Sequence, residues 1–402
     1  MTSFSKPLAS GPQIQLIPGP SILPDRVRAA MHCASIDIYS GPLLDVTARC
    51  EAGLRGVFET SEPVFLYAAN GHGAWDAALS NTLCRGEKIL VLQSGRFAVG
   101  WGEMASAMGL QVEILSADWH SAVNPEALSE RLKADKAHTI RAILCVQVDT
   151  ASGVSNDVGE LRQAIDVVGH PALLMVDAVA SLGTMPFEFQ KWGVDVAVSA
   201  SQKGLMSAPG LGFVAASQRA LEAHKCADLR TRYWDWSTRN GTNHYQKYCG
   251  TPPEQLLFGL AEAFDMMAEE GLSTIFKRHE LLKQATQSAI SSWHDVGAIA
   301  NIPVQKNQAS SVSVFNLPDG LAGKVISFCR ENCGVTLGGG LGRWSGKSIR
   351  IGHMGHINAP TLLGAIGCID LALNVLGLDP SQYGAAAAVR ALGRGGEDPD
   401  ET

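Results

Sequence analysis

Val194-Asp195-Val196-Ala197-Val198-Ser199-Ala200-Ser201-Gln202-Lys203 reads as an alternating apolar strand that closes in small polar residues and ends on an amine. A second apolar run, Ala172-Leu173-Leu174-Met175-Val176, ends on an acid, Asp177. Each strand therefore delivers one ionisable group at its C-terminal end. Taken singly, the acid would be read as a helix cap and the lysine as a solvated surface charge. Together, with small flanking residues that leave room for a planar ring, they form the pair that pyridoxal phosphate chemistry needs. The lysine holds such a cofactor as a Schiff base, and the acid keeps a proton on its ring nitrogen.

Around this pair, short apolar runs alternate with helical patterns. The spacing predicts strands over 64–67, 88–92, 112–115, 141–148, 172–176, 194–199 and 212–216, with helices over 74–83 and 98–108 between the first three. Strands apolar on both faces and separated by helices predict an α/β fold: a mainly parallel seven-stranded sheet covered on both sides. Sites in such sheets lie beyond the C-terminal strand ends, where Asp177 and Lys203 fall. After Pro252-Pro253 the pattern turns to long helices over 254–269 and 272–293. A smaller α/β unit follows, with strands over 311–315 and 348–351 and helices over 360–376 and 382–392. The expected organisation is an N-terminal arm over 1–20, a large cofactor-binding domain over 21–275, a small C-terminal domain over 276–392 and a disordered tail over 393–402.

Composition narrows the classes. The 402 residues are 46% hydrophobic and 18% charged, enough to build a sizeable core. A net charge of −7 argues against nucleic acid or an anionic membrane as the main partner. No run approaches the roughly 18 apolar residues of a membrane span, and Met1-Thr2-Ser3-Phe4-Ser5-Lys6 lacks the apolar core of a secretory signal. The nine cysteines form no C-x-x-C pair, which speaks against a disulfide framework or a metal cage and for the cytoplasm.

Further motifs gather at the same strand ends. Asn70-Gly71-His72-Gly73-Ala74-Trp75 joins a strand to a helix, either as a tight turn or as a phosphate cradle of backbone N–H groups. Phe97, in Gly95-Arg96-Phe97, is either a core aromatic or a residue that stacks on the cofactor ring. Thr150, in Asp149-Thr150-Ala151-Ser152-Gly153, can bond the ring hydroxyl or simply close a turn. Arg350 sits between isoleucines on a strand, so its charge needs an anionic partner: a substrate carboxylate gripped bidentately, or a structural aspartate. Gly342-Arg343-Trp344-Ser345-Gly346-Lys347-Ser348 looks like the end of a phosphate loop, but a strand follows it where that loop needs a helix.

The ordered set resembles the class V, fold-type I pyridoxal phosphate aminotransferases, in particular the serine–glyoxylate and alanine–glyoxylate branch. The matching stretches include Ile17-Pro18-Gly19-Pro20, Gly71-His72-Gly73-Ala74-Trp75-Asp76, Thr150-Ala151-Ser152-Gly153 and Val176-Asp177-Ala178-Val179. Ser201-Gln202-Lys203, Tyr248-Cys249-Gly250-Thr251-Pro252 and Arg350-Ile351-Gly352-His353-Met354-Gly355 complete it, over about residues 15 to 390. The resemblance implies that Lys203 and Asp177 are catalytic, and that Asn70, Gly71, His72, Val179 and Gln202 bind the cofactor and its phosphate. It implies that Phe97 stacks on the ring, that Thr150 bonds it, and that Arg350 takes the substrate carboxylate. Tyr248 and Thr251 correspond to residues that reach a phosphate in the neighbouring subunit, implying a homodimer with shared sites. One stretch departs: where many relatives carry Arg-Ser-Pro, this chain has Asp37-Ile38-Tyr39-Ser40-Gly41-Pro42. An aspartate donor loses one counter-charge there, while Tyr39 can still hydrogen-bond a substrate.

The expected activity is transfer of an amino group from serine or alanine to a small 2-oxoacid, glyoxylate first. Three alternatives stand beside it: a relative using aspartate, pyridoxamine or another amine, a cysteine desulfurase or lyase, and a non-catalytic binding protein that keeps the fold.

Overall fold

The computed structural model describes residues 6–300 and 308–395. Its centre is a seven-stranded sheet in the spatial order Val64–Ala68, Leu211–Ala216, Val196–Ala200, Leu173–Asp177, Ile140–Val146, Lys88–Gln93 and Gln111–Ser116. Leu211–Ala216 runs antiparallel to both neighbours, and every other pairing within the row is parallel. The expected mainly parallel sheet is therefore present.

Alternation along the strands explains their unbroken apolar runs. Leu90, Leu92, Ile143, Cys145, Leu174 and Val176 belong to one buried cluster. Their immediate neighbours Ile89, Val91, Ala142, Leu144, Leu173 and Met175 belong to a second cluster on the other face. Successive side chains point to opposite faces, so a sheet buried on both sides leaves no position for a polar residue until the strand ends.

Two predicted boundaries shift for reasons that local sequence does not carry. The strand expected over 141–148 stops at Val146, where its pairing with Leu173–Asp177 ends: Gln147 N–H donates to the Asp177 carbonyl, while the Gln147 carbonyl accepts from Asn156 N–H instead. Val148–Asp149 then pairs antiparallel with Val154–Ser155 through a turn at Gly153, whose φ is +78°. The helix expected from 98 begins at Arg96 because Asp149, a residue of another strand, caps it. The Asp149 carboxylate accepts from Phe97 N at 2.8 Å and Ala98 N at 3.0 Å. The helices Pro42–Phe58, Pro125–Ala134, Val158–Val168 and Leu321–Cys333 were not anticipated.

A five-stranded sheet forms the smaller layer, in the order Ile14–Leu16, Val335–Gly339, Ser348–Gly352, Val312–Asn316 and Ile299–Ala300. Its first strand comes from the segment expected as a separate arm, and it pairs parallel with Val335–Gly339. The chain thus enters through the small sheet, and Pro18 and Gly19 arrive beside Lys203. The domain division drawn at 275 falls inside the helix Leu272–Ser292. The last helix, Gly384–Arg394, runs past the expected start of the tail at 393; residues 396–402 lie outside the described part. Among the described residues no helix is long and apolar enough to cross a membrane.

Candidate active site

The C-terminal ends of four central strands and the start of the helix Gly71–Thr82 enclose a cavity of about 130 Å³. Lys203, Asp177, Gln202 and Val179 line it, as do Gly71, His72, Phe97 and Thr150. Eight of the residues singled out in the sequence therefore line one cavity. Asn70 lies at the rim: its side-chain oxygen accepts from His72 N at 3.0 Å and Gly73 N at 3.2 Å and so caps the helix. That cap aims the helix start, with its partial positive charge, at the cavity. Gly71 packs there because an added Cβ would lie 3.0 Å from Val179 Cγ2.

Asp177 is 4% exposed at the base of the cavity. Its Oδ1 accepts from Val179 N at 2.7 Å and its Oδ2 from Trp75 Nε1 at 2.7 Å. Burial pushes its carboxyl up to about 7, against the pull of those two donors and of Lys203. Lys203, half-buried, donates to the Pro18 carbonyl. Burial first, and then the Arg350 cation, bring its amine down to about 8, so its neutral form lies closer to neutral pH than that of a solvated lysine. Gly19 gives the amine room: at φ +89° its missing Cβ would stand 2.5 Å from Lys203 Nζ. Ser21 fixes the turn, its Oγ donating to the Lys203 carbonyl at 2.7 Å.

Arg350 reaches the same site from the small sheet. Its Nε donates to the Gly339 carbonyl at 2.6 Å and its Nη1 to the Thr150 carbonyl at 3.2 Å. No carboxylate pairs with it among the described residues: Asp149 faces its charge but accepts instead from the backbone N–H groups of Phe97, Ala98 and Ala151. The structural aspartate considered from sequence is thus engaged elsewhere, and a half-buried guanidinium bonded only to carbonyls is left to attract an anion.

The remaining predicted residues stand apart from this cavity. Tyr39 is 68% exposed, edge-on to Tyr245 at 5.9 Å between ring centres. Tyr248, expected to reach a neighbouring copy, is 3% exposed within its own chain, its hydroxyl 2.8 Å from Thr47 Oγ1. Thr251 is exposed. Sequence reading missed two residues, Trp75 and Asp149. Trp75 follows Gly71 by one helical turn, a spacing that puts both on one face. Asp149 ends an apolar run just as Asp177 does, which was the available signal.

The contents of the cavity fit pyridoxal phosphate. The base carries a buried acid without an ion pair among the described residues, one side an amine of lowered basicity, and the walls Phe97 and Val179. The Gln202 side-chain oxygen is buried without a partner among the described residues, a polar group left over for a ligand.

This chain belongs to the class V aminotransferase family, whose model matches residues 52–345. The particular relatives include a serine–glyoxylate aminotransferase of Methylorubrum extorquens, 39% identical over 381 residues, which are 92% of this chain and 94% of the relative. An L-aspartate–glyoxylate aminotransferase of Paracoccus denitrificans is 35% identical over 376 residues, 92% of this chain and 93% of that one. Among solved structures, an alanine–glyoxylate aminotransferase from Nostoc superposes with a TM-score of 0.82 at 26% identity, covering 92% of this chain and 97% of that chain. The architecture is accordingly that of the fold-type I enzymes.

Proposed function

We propose that this protein is a pyridoxal phosphate-dependent aminotransferase that moves the amino group of a small amino acid, serine or alanine, to glyoxylate. One observation carries the reading: Lys203 and Asp177 share a cavity at the strand ends, with Arg350 beside them lacking a carboxylate partner among the described residues. Relatives named for serine, aspartate and alanine donors, all with glyoxylate, support the substrate class. When bound, the cofactor supplies an electron sink for the pair released as the donor Cα–H bond breaks.

In this reading Lys203 tethers the cofactor and later, as a free neutral amine, carries the proton from the substrate Cα. Asp177 would hold a proton on the ring nitrogen of the bound cofactor, and Phe97 and Val179 would pack against its ring. The helix start at Gly71 and His72, with Gln202, receives the phosphate. Arg350 grips the substrate carboxylate through paired N–H groups. The working unit is a homodimer in which Tyr248 and Thr251 serve the neighbouring copy, and Tyr39 contacts substrate. Nine free cysteines support a reducing compartment, the cytoplasm.

Arg350→Ala should raise the KM for the amino donor about 10- to 100-fold, as loss of a charge-assisted contact implies, with a smaller change in kcat; an unchanged response to donor concentration in initial rates would remove Arg350 from substrate binding. Covalent uptake of the cofactor needs the neutral amine of Lys203, so its rate should climb with pH and level off above about 8. Arg350→Gln removes a cation that lowers the basicity of that amine, so the same profile should move to higher pH in stopped-flow absorbance. A panel of L-serine, L-alanine and L-aspartate against glyoxylate and pyruvate tests the function itself. Serine with glyoxylate should yield hydroxypyruvate and glycine. Failure of every pair with added cofactor would sink the proposal.

A further inference from the structure

We infer that Trp75 is a positioning residue for the reaction: its indole N–H fixes the Asp177 carboxylate and favours the anion that faces the cofactor ring nitrogen. The inference rests on the proposed role of Asp177 and extends it to a second element, the helix Gly71–Thr82. Trp75 is 2% exposed, and its Nε1 donates to Asp177 Oδ2 at 2.7 Å. The indole is clamped in that direction. Trp101 stacks on it with ring centres 5.7 Å apart and planes 12° from parallel, and the His72 ring lies 4.5 Å away.

The bond has chemical content beyond packing. Trp101, next to it in the same cluster, is equally buried, yet its N–H has no partner among the described residues. A core position here tolerates an unbonded indole; Trp75 instead directs its donor at an acid. Each Asp177 oxygen thus receives one donor, from Trp75 and from the Val179 backbone. Donors to a carboxylate favour its anion, whereas burial favours the neutral acid. The charged and titratable groups around Asp177 divide the same way: Asp149 opposes the anion, Lys203 supports it, and the buried Cys145 thiol also faces it. An anion opposite the ring nitrogen keeps that nitrogen protonated, so Trp75 acts on the reaction through Asp177 without touching the substrate.

The test uses the full chain labelled with 15N-tryptophan, with and without pyridoxal phosphate. Without cofactor, one indole resonance should titrate in the neutral range; it should be missing in Trp75→Phe, and its titration should be absent in Asp177→Asn. An indole set that no carboxyl titration moves would overturn the inference, and this arm needs only the wild-type chain and Asp177→Asn should Trp75→Phe not fold. In the loaded enzyme, Trp75→Phe should lower kcat about tenfold, leave the amino-donor KM within about twofold, and move the pH midpoint of kcat upward by about one unit. A wild-type kcat with an unmoved pH profile would also overturn it. Full turnover by Asp177→Asn would instead strike at the role of Asp177, while the cofactor-free titration still decides whether Trp75 and Asp177 are bonded.

Discussion

Lys203→Ala should give a folded chain that takes up no pyridoxal phosphate covalently and transfers amino groups at least about 10⁴-fold more slowly. The expectation follows from how the residue is held. The strand Val196–Ala200 ends three residues before Lys203, and Ser21 pins the turn through the Lys203 carbonyl, a contact the substitution leaves intact. What disappears is the amine, the one lysine nitrogen lining the cavity among the described residues. Thermal melting of the cofactor-free variant should therefore match the wild type, since removal of a half-buried amine also removes its desolvation cost. Near-normal steady-state turnover of Lys203→Ala would refute the tether and proton-carrier roles together.

Asp177→Asn should keep the cofactor attached and still lose roughly 10²- to 10³-fold in kcat. Asparagine preserves the shape of the side chain and can accept from Val179 N, so binding should survive. It carries no negative charge to oppose the ring nitrogen. Covalent label without turnover would separate the two roles: Lys203 attaches and shuttles the proton, Asp177 sets the electronics. If Asp177→Asn is as fast as the wild type, the acid is structural, and its two short hydrogen bonds hold the strand end only.

The sheet and the heart of the site were legible because their physics is local. A strand buried on both faces must be apolar throughout, so the first ionisable group after it stands out, as Asp177 and Lys203 do. Arg350 was legible for a related reason: a guanidinium between two buried isoleucines needs an anion. The rest depended on partners far along the chain. Asp149 caps a helix that starts more than fifty residues earlier, and Trp75 donates to an acid about a hundred residues later. Local sequence hints at where each residue stands but carries nothing about its partner. The segment Ile14–Leu16 looked like a free arm because three residues cannot display a period, yet it completes the small sheet and brings Pro18 to Lys203. The role expected of Tyr248 lies in a neighbouring copy, so a single chain shows only its hydroxyl beside Thr47.

Reduction with borohydride after incubation with pyridoxal phosphate, followed by peptide mass spectrometry, tests the central claim most directly. A single added pyridoxyl phosphate mass on the peptide containing Lys203, absent from Lys203→Ala, is the predicted result. A mass on a different lysine, or unlabelled protein under saturating cofactor, would contradict it.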